Sequence, residues 1–178
     1  MDASPMLGAA VGFALLLGTA AWRKFGDLPA FTVVVADYRI VPQALLRPTG
    51  VVVTVVEAVL AMLWLAAPWY ADAANAAAIG TTALMAGYGA AIAANLVRGR
   101  SWIDCGCGGG EQLTWGLVAR NAVLAGLAIA TLVSRSPGSP DWGDVAVSAP
   151  VLVVGTLLYL ATGALLANSA AIRTWREA

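Results

Sequence analysis

Long apolar runs separated by short polar segments make up most of this chain. A helix needs about 20 mostly apolar residues to cross a bilayer. About five runs reach that length, and they predict an all-α, polytopic transmembrane helical bundle that occupies residues 1–178 as a single integral membrane domain. The predicted spans are residues 5–22, 49–67, 73–97, 114–133 and 145–172.

The segment between the first two predicted spans, residues 25–47, is partly apolar but its apolar run is too short to cross a bilayer. Pro29, Pro42 and Pro48 punctuate this segment and its end. Proline is favoured in the first turn of a helix and disrupts helix interiors. We therefore expect a short helix that begins near Pro29, lies in the membrane interface and breaks at Pro42. An apolar linker without helical structure is the alternative.

Composition supports the membrane prediction. Hydrophobic residues make up 60% of the 178 residues, charged residues make up 11%, and the mean hydropathy is +0.80. A soluble domain carries about 25% charged residues, and a small one keeps much of its surface exposed. The formal net charge of zero provides no basic field to attract nucleic acid. These features argue against a soluble enzyme, a disordered chain or a nucleic-acid-binding protein, and they make the lipid bilayer the main partner.

Positive charges are unevenly distributed between the two sides of the predicted bundle. Nine of the ten Lys and Arg residues lie in or beside the segments that follow the first, third and fifth spans, and only Arg135 follows the fourth. The positive-inside rule then predicts a multi-pass inner-membrane protein with its N-terminus outside and its C-terminus inside. The same rule places the loop at residues 98–113 on the inner side.

The loop at residues 98–113 contains the two cysteines of the chain, Cys105 and Cys107, separated by one glycine. A disulfide between cysteines this close is strained, adds little stability and is more easily reduced than a structural disulfide. The spacing therefore favours thiol–disulfide exchange, in which one thiol reacts and the other resolves the mixed disulfide. Two adjacent thiolates also suit a soft metal such as Cu(I), Hg(II) or Zn(II), and an incidental thiol pair is the third interpretation.

Charged groups near the cysteines can change the reactivity of a thiol. Arg98, Arg100 and the unpaired backbone N–H groups that begin the fourth predicted helix would supply positive potential that stabilises a thiolate. Asp104 directly precedes Cys105. Its carboxylate either exchanges a proton with the thiols or remains solvated in the loop.

Glu57 lies near the middle of the second predicted span. A charged side chain at this depth costs about 2.5–3.5 kcal/mol on insertion scales, so it requires a partner, a proton or a cavity. Its expected partners are Tyr88, Asn95, Arg120 and Asn121, although Arg120 also fits the role of an anchor at the membrane surface. Glu57 then acts either as a proton acceptor or quinone ligand that serves the dithiol, or as a hydrogen-bond acceptor that fixes helix packing.

Several segments resemble the MauE family of methylamine utilisation membrane proteins, within the wider MauE/DoxX group. The resemblance covers approximately residues 6–133, and the Arg-Gly-Arg…Asp-Cys-Gly-Cys block is its most specific part. Gly108 replaces the bulky residue that often follows the second cysteine in this family, which makes the loop looser. The similar segments are WRKFGDLPAF (Trp22–Phe31), DYRIVP (Asp37–Pro42), VVEAVLA around Glu57, NLVRGRSWIDCGCGG (Asn95–Gly109) and ARNAVLAGLA (Ala119–Ala128).

The resemblance implies a four-helix DoxX-like core with one further helix, and thiol–disulfide handling in the maturation of exported proteins beside a thioredoxin-like partner. A single dithiol cannot carry electrons across a membrane, so it must exchange with a thioredoxin-like protein, a quinone or a small thiol. We therefore predict a membrane-embedded thiol–disulfide redox protein, a candidate oxidoreductase with quinone as a candidate cofactor. The alternatives are a soft-metal or small-ligand carrier that uses Cys105 and Cys107, and a non-catalytic scaffold for a partner oxidoreductase.

Overall fold

The computed structural model describes residues 4–105 and 112–133 and, between 143 and 165, the positions 143, 146, 148–150, 152, 153, 155, 157, 159, 161 and 163–165. The protein is an all-α helical membrane protein, and its described residues contain no β-strand, only one isolated bridge between Asp104 and Gln112. Its helices are α1 (Ser4–Gly26), α2 (Leu28–Asp37), α3 (Leu46–Ala66), α4 (Ala71–Val97) and α5 (Trp115–Ala130), with a 3-10 turn at Gln43–Leu45 before α3.

Three described segments are long and apolar enough to cross a membrane: Met6–Gly26, Gln43–Ala66 and Ala71–Val97. α5 has 16 residues and a length of about 24 Å at a rise of 1.5 Å per residue, shorter than the ~30 Å hydrocarbon core. The fifth predicted span, 145–172, lies largely outside the described residues. The total of five spans therefore stays a prediction.

Each of the three long helices buries one stripe of residues spaced three, four or seven apart. This spacing returns side chains to the same face of a helix and suits near-parallel helix packing. Many stripe residues are small, which lets the helix backbones approach closely. The stripes are Ala10, Ala14, Leu17, Ala21 and Lys24 on α1; Gly50, Thr54, Glu57, Ala61 and Trp64 on α3; and Ala74, Ala78, Thr81, Met85, Ile92 and Asn95 on α4.

A polar and aromatic contact ties α1, α3 and α4 together at one end of the bundle. The fully buried indole of Trp64 stacks on Phe13, with ring centroids 4.9 Å apart. Its Nε1 donates a hydrogen bond of 2.8 Å to Thr81 Oγ1. Because both polar groups of this contact are satisfied, it stabilises the packing without leaving a buried donor unpaired.

The helix boundaries differ from the predicted spans by up to four residues, and two of the differences have a clear cause. α1 continues past Trp22 to Gly26, because Lys24 lies on the buried stripe and not at the membrane surface. α3 begins at Leu46 although Pro48 follows two residues later. Proline is tolerated there because the N–H groups of the first helical turn have no intrahelical partner.

The segment at 25–47 contains a helix, α2, and not only linker. Asp27 caps it, since its Oδ1 accepts a hydrogen bond of 3.0 Å from the N–H of Ala30. α2 packs beside the start of α3, where Gly50 leaves room for Phe31 and Thr32. A larger residue at position 50 would separate the two helices. The placement of α2 in the membrane interface remains a prediction.

The contact between α3 and α4 at Gly80 generates a stability prediction. A Cβ at Gly80 would lie 2.5 Å from Cδ2 of the buried Leu60, whereas a Cβ at Gly126 on α5 would meet nothing within 4 Å. Gly80→Ala should therefore lower stability by about 1–3 kcal/mol through overpacking. Gly126→Ala, the matched control, should raise stability by about 0.5–1 kcal/mol, because alanine favours the helix and its Cβ meets no neighbour.

Thermal unfolding in detergent measures both variants. Adding Leu60→Val to Gly80→Ala shortens the obstructing side chain and should recover part of the lost stability. Equal melting temperatures for Gly80→Ala and the unmutated protein would contradict the close packing of α3 and α4.

Candidate functional site

A charged pair lies inside the bundle where α1, α3 and α4 meet. Lys24 Nζ donates a hydrogen bond to Glu57 Oε1 and forms an ion pair with it. Tyr88 donates a second hydrogen bond to the same oxygen, at 2.6 Å. The exposed fractions of Lys24 and Glu57 are 7% and 1%. Each of the three helices thus contributes one polar side chain to a site that is otherwise apolar.

Aromatic rings complete the surroundings of the Lys24 ammonium. Its Nζ lies 4.8 Å from the ring centroid of Phe31 on α2 and 5.4 Å from that of Tyr88. The face of an aromatic ring attracts a cation, most strongly where water is excluded. The rings and the Glu57 carboxylate together compensate the ammonium for lost hydration.

The Glu57 carboxylate is only half satisfied. Oε1 accepts from Lys24 and Tyr88, whereas the buried Oε2 has no hydrogen-bond partner among the described residues. A buried acceptor without a partner costs about 1–3 kcal/mol, and more when it is charged. Such an atom in a native protein is explained either by an ordered water or ion or by a role in function.

Glu57 lines a cavity of about 620 Å³. The cavity runs between the five helices and the helical positions 159, 163 and 164, and Cys105 also lines it. Its walls are largely apolar, formed by residues such as Leu16, Val53 and Leu124. Its polar lining side chains include Lys24, Tyr38, Tyr88, Arg120 and Asn121. The mid-membrane carboxylate and the first cysteine of the loop therefore share one cavity.

Cys105 sits where the loop closes on itself. The N–H of Leu113 donates to the carbonyls of Ser101 and Ile103, at 3.0 and 3.1 Å, and Asp104 bridges to Gln112. Ile103 and Leu113 are buried against Ile92 and Leu117, and Cys105 packs against this cluster. Both ends of the loop are thereby fixed to the bundle. Cys107 lies outside the described residues.

Hydrogen bonds from two other elements hold the base of this loop. Tyr38, which follows α2, donates from its hydroxyl to the carbonyl of Cys105 at 3.2 Å. Arg100 donates to Asn95 Oδ1 at 3.1 Å and to the carbonyl of Asp37 at 2.8 Å. The loop base is thus joined to the ends of both α2 and α4.

Two residues of α5 line the cavity opposite Glu57's helix. The Arg120 guanidinium lies 5.1 Å from the ring centroid of Tyr159. Asn121 donates from Nδ2 to the carbonyl of Leu117 at 2.8 Å, and its Cβ lies close to Gly89 on α4. These contacts orient both side chains at the cavity wall.

The structure separates the predicted site residues into groups. Five of them line the cavity: Glu57, Tyr88, Cys105, Arg120 and Asn121. Asn95 and Arg100 form the loop base, and Asp104 takes part in the bridge to Gln112. Arg98 is exposed at the C-terminal end of α4.

Of the four partners expected for Glu57, Tyr88 forms a hydrogen bond with it, while Asn95 bonds to Arg100 and to its own helix. Lys24 is a partner that the sequence interpretation missed, because it was counted among the charges at the membrane surface. The spacing of Ala14, Leu17, Ala21 and Lys24 along one face of α1 was the available signal.

A metal site receives no support from the described residues. They contain no group of three or more His, Cys, Asp or Glu side chains that is placed to hold a metal ion. The two-thiolate site considered from the sequence requires Cys107, which lies outside the described residues, so that site stays a hypothesis.

An all-α membrane bundle with a buried Lys–Glu pair and a cysteine loop around one cavity defines a polytopic membrane protein with a polar site in its interior. The family model described as "Methylamine utilisation protein MauE" matches residues 3–134. The chain belongs to this family.

Three curated relatives, each named "Methylamine utilization protein MauE", show the same similarity. The protein of Paracoccus denitrificans is 36% identical over 168 residues, which cover 93% of this chain and 80% of the relative. That of Paracoccus versutus is 36% identical over 83% of this chain and 77% of its own length. That of Methylorubrum extorquens is 38% identical over 84% and 80%. No solved structure matches this chain.

The charged pair generates a double-mutant prediction. Glu57→Gln leaves the Lys24 ammonium buried without its counter-ion, and Lys24→Met leaves the carboxylate in the same state. Each single variant should lose about 3–5 kcal/mol of stability, whereas the double variant should lose less than either because no unpaired charge remains. Arg23→Met is the matched control, since Arg23 is exposed, and it should change stability by about 0.5 kcal/mol or less.

Thermal unfolding in one detergent measures the four variants. Losses that simply add in the double variant would show that Lys24 and Glu57 do not interact.

Proposed function

We propose that this protein is a membrane accessory protein of methylamine utilisation that carries out thiol–disulfide exchange through Cys105 and Cys107. Membership of the MauE family and the printed names of the three relatives support the pathway. The observation that carries the redox assignment is the position of Cys105, which lines the same cavity as the buried Glu57.

The placement of Cys105 suits exchange with a protein outside the bundle. Cys105 is half-buried and lies at the base of the loop, which Tyr38 and Arg100 hold in place. A reactive cysteine of this kind needs a fixed position together with access on one side. A thioredoxin-like protein is the partner that fits this chemistry, because its own dithiol exchanges through a mixed disulfide.

The exchange balances without any further reactant. A thiolate of the partner attacks the Cys105–Cys107 disulfide, one sulfur of that disulfide leaves as a thiolate, and a mixed disulfide forms. The second partner thiol then attacks the mixed disulfide, which leaves the partner oxidised and Cys105 and Cys107 reduced. The two protons that the partner thiols lose end on the thiolates of Cys105 and Cys107, and Asp104 and Glu57 are the carboxylates available to relay them.

Trapping of the mixed disulfide tests this proposal. Because the exchange is reversible, the one thiolate left in Cys105→Ser or Cys107→Ser can attack the disulfide of an oxidised thioredoxin-like protein. The second thiol of the pair, which would release the reduced partner, is missing, so the disulfide-linked complex should accumulate. Non-reducing gels and mass spectrometry of cells grown on methylamine would detect this complex. The double Ser variant is the control and should give none.

One combined result would contradict the redox proposal. If neither single variant accumulates a mixed disulfide while the unmutated protein binds one thiophilic metal ion per chain, the two cysteines form a metal site and the redox proposal is wrong.

We also propose that the N-terminus lies outside and that the cysteine loop and the C-terminus lie in the cytosol. Burial of Lys24 removes it from the surface charges, but eight of the nine other Lys and Arg residues still fall on one side. In short loops, this asymmetry sets membrane orientation.

Labelling with a membrane-impermeant maleimide measures the orientation. After reduction, the cysteines should label only in permeabilised cells, and the double Ser variant gives the background. Labelling in intact cells, or a reporter after Ala178 that is active only outside, would reverse the orientation.

A further inference from the structure

We propose that the cavity binds a quinone, and that this quinone accepts the two electrons of the Cys105–Cys107 dithiol. The inference rests on the proposed redox function and names the oxidant that the cysteine pair uses. Lys24, Glu57 and Tyr88 would form the polar end of the binding site.

The size and lining of the cavity suit such a ligand. Its volume of about 620 Å³ is within the range of about 300–1,000 Å³ usual for small-molecule sites. Sites of this class combine apolar walls with a few polar groups that fix the orientation of the ligand. A quinone has an apolar body that partitions into the membrane and two carbonyl oxygens, and both parts find complementary surface here.

Glu57 Oε2 is the atom that favours a quinone over a lipid acyl chain as the ligand. This oxygen is buried and has no hydrogen-bond partner among the described residues, and it belongs to a residue that lines the cavity. A lipid acyl chain in the cavity would leave it unpaired, because a hydrocarbon has no donor. A quinol has two O–H donors, so the reduced ligand supplies the hydrogen bond that Oε2 lacks.

The same site also contains hydrogen-bond donors for the oxidised ligand. A quinone carbonyl accepts hydrogen bonds. The Lys24 ammonium has three N–H donors, and its contacts with Glu57 and with the Tyr88 hydroxyl, 3.4 Å away, use two of them. The single O–H of Tyr88 donates to Glu57 and would turn from it to the quinone. Arg120 and Asn121 are further donors in the cavity wall. The site therefore offers donors to the quinone and an acceptor to the quinol.

The reaction balances in atoms and electrons. Oxidation of the two thiols breaks two S–H bonds, forms one S–S bond and releases two electrons and two protons. The quinone takes up both electrons and both protons, and its two carbonyls become hydroxyls. With no histidine in the chain, carboxyl, phenol and ammonium groups must carry the protons, and Glu57, Tyr88 and Lys24 place all three in contact.

A single-turnover experiment tests the inference. The full chain in lipid nanodiscs is reduced, freed of reductant and mixed with decylubiquinone. Two thiols supply two electrons, so one quinol should form per chain, followed by its ultraviolet absorbance, and both thiols should disappear together. Cys105→Ser should still bind decylubiquinone but form no quinol.

Variants of the polar end test the site itself. Tyr88→Phe keeps the charged pair and removes one donor, and Glu57→Gln removes the carboxylate. Tyr88→Phe should weaken binding of decylubiquinone, and Glu57→Gln should weaken binding of its reduced form, decylubiquinol, each by roughly 10-fold, the effect of losing one hydrogen bond to the ligand. Asp72→Asn is the matched control because Asp72 is exposed in the first turn of α4, and it should bind as the unmutated protein does. If Glu57→Gln does not fold, decylubiquinone binding by Tyr88→Phe still tests whether the ligand occupies this site.

Each failure has a different meaning. If decylubiquinone does not bind while Cys105→Ser or Cys107→Ser still traps a partner protein, the quinone inference is wrong and the proposed function stands. If Tyr88→Phe binds decylubiquinone, and Glu57→Gln binds decylubiquinol, as tightly as the unmutated protein does, the ligand lies elsewhere and the assigned site is wrong. If decylubiquinone binds but no quinol forms and no mixed disulfide is trapped, both proposals are wrong.

Discussion

The buried pair of Lys24 and Glu57 is the interaction on which the arrangement of this bundle depends. Neither charge is stable alone inside a membrane, and together they form a neutral pair that tolerates burial. Their contact fixes the position of α1 along α3, and the hydrogen bond from Tyr88 adds α4. The apolar stripes of the three helices then pack in the relative positions that these polar contacts require.

The hydrogen bonds of the Glu57 carboxylate are unequal between its two oxygens, which fits the ligand-binding role that we propose for it beside helix packing. A purely structural carboxylate is most stable when both oxygens accept hydrogen bonds, but here Oε1 accepts two and the buried Oε2 accepts none. The cost of an unpaired acceptor is justified if a ligand or a proton occupies that side during function. Because Glu57 lines the cavity, its unsatisfied oxygen and the space for a donor occur together.

The sequence predicted the long helices well because a membrane requires uninterrupted apolar length, which is read directly from residues such as those around Glu57. The same rule failed at Lys24, since a charge next to an apolar run looks like a membrane-surface residue until its helical face is considered. The role of Arg100 in stabilising a thiolate stays a prediction, and its guanidinium also joins the ends of α2 and α4, which the sequence did not indicate. The cavity was not predictable, because it forms between helices that are far apart in sequence.

The cavity also links Glu57 and Cys105, although Glu57 lies deep in the bundle and Cys105 lies in a loop. Glu57 lies 11 residues after Leu46, the first residue of α3, or about 16 Å along the helix axis. A loop cysteine would have to fold deep into the bundle to meet this carboxylate directly. Instead, Cys105 stays at the loop base, held by Tyr38, while the cavity extends from it to Glu57. A small molecule that spans the cavity can therefore connect the two groups, whereas direct contact between them is unnecessary.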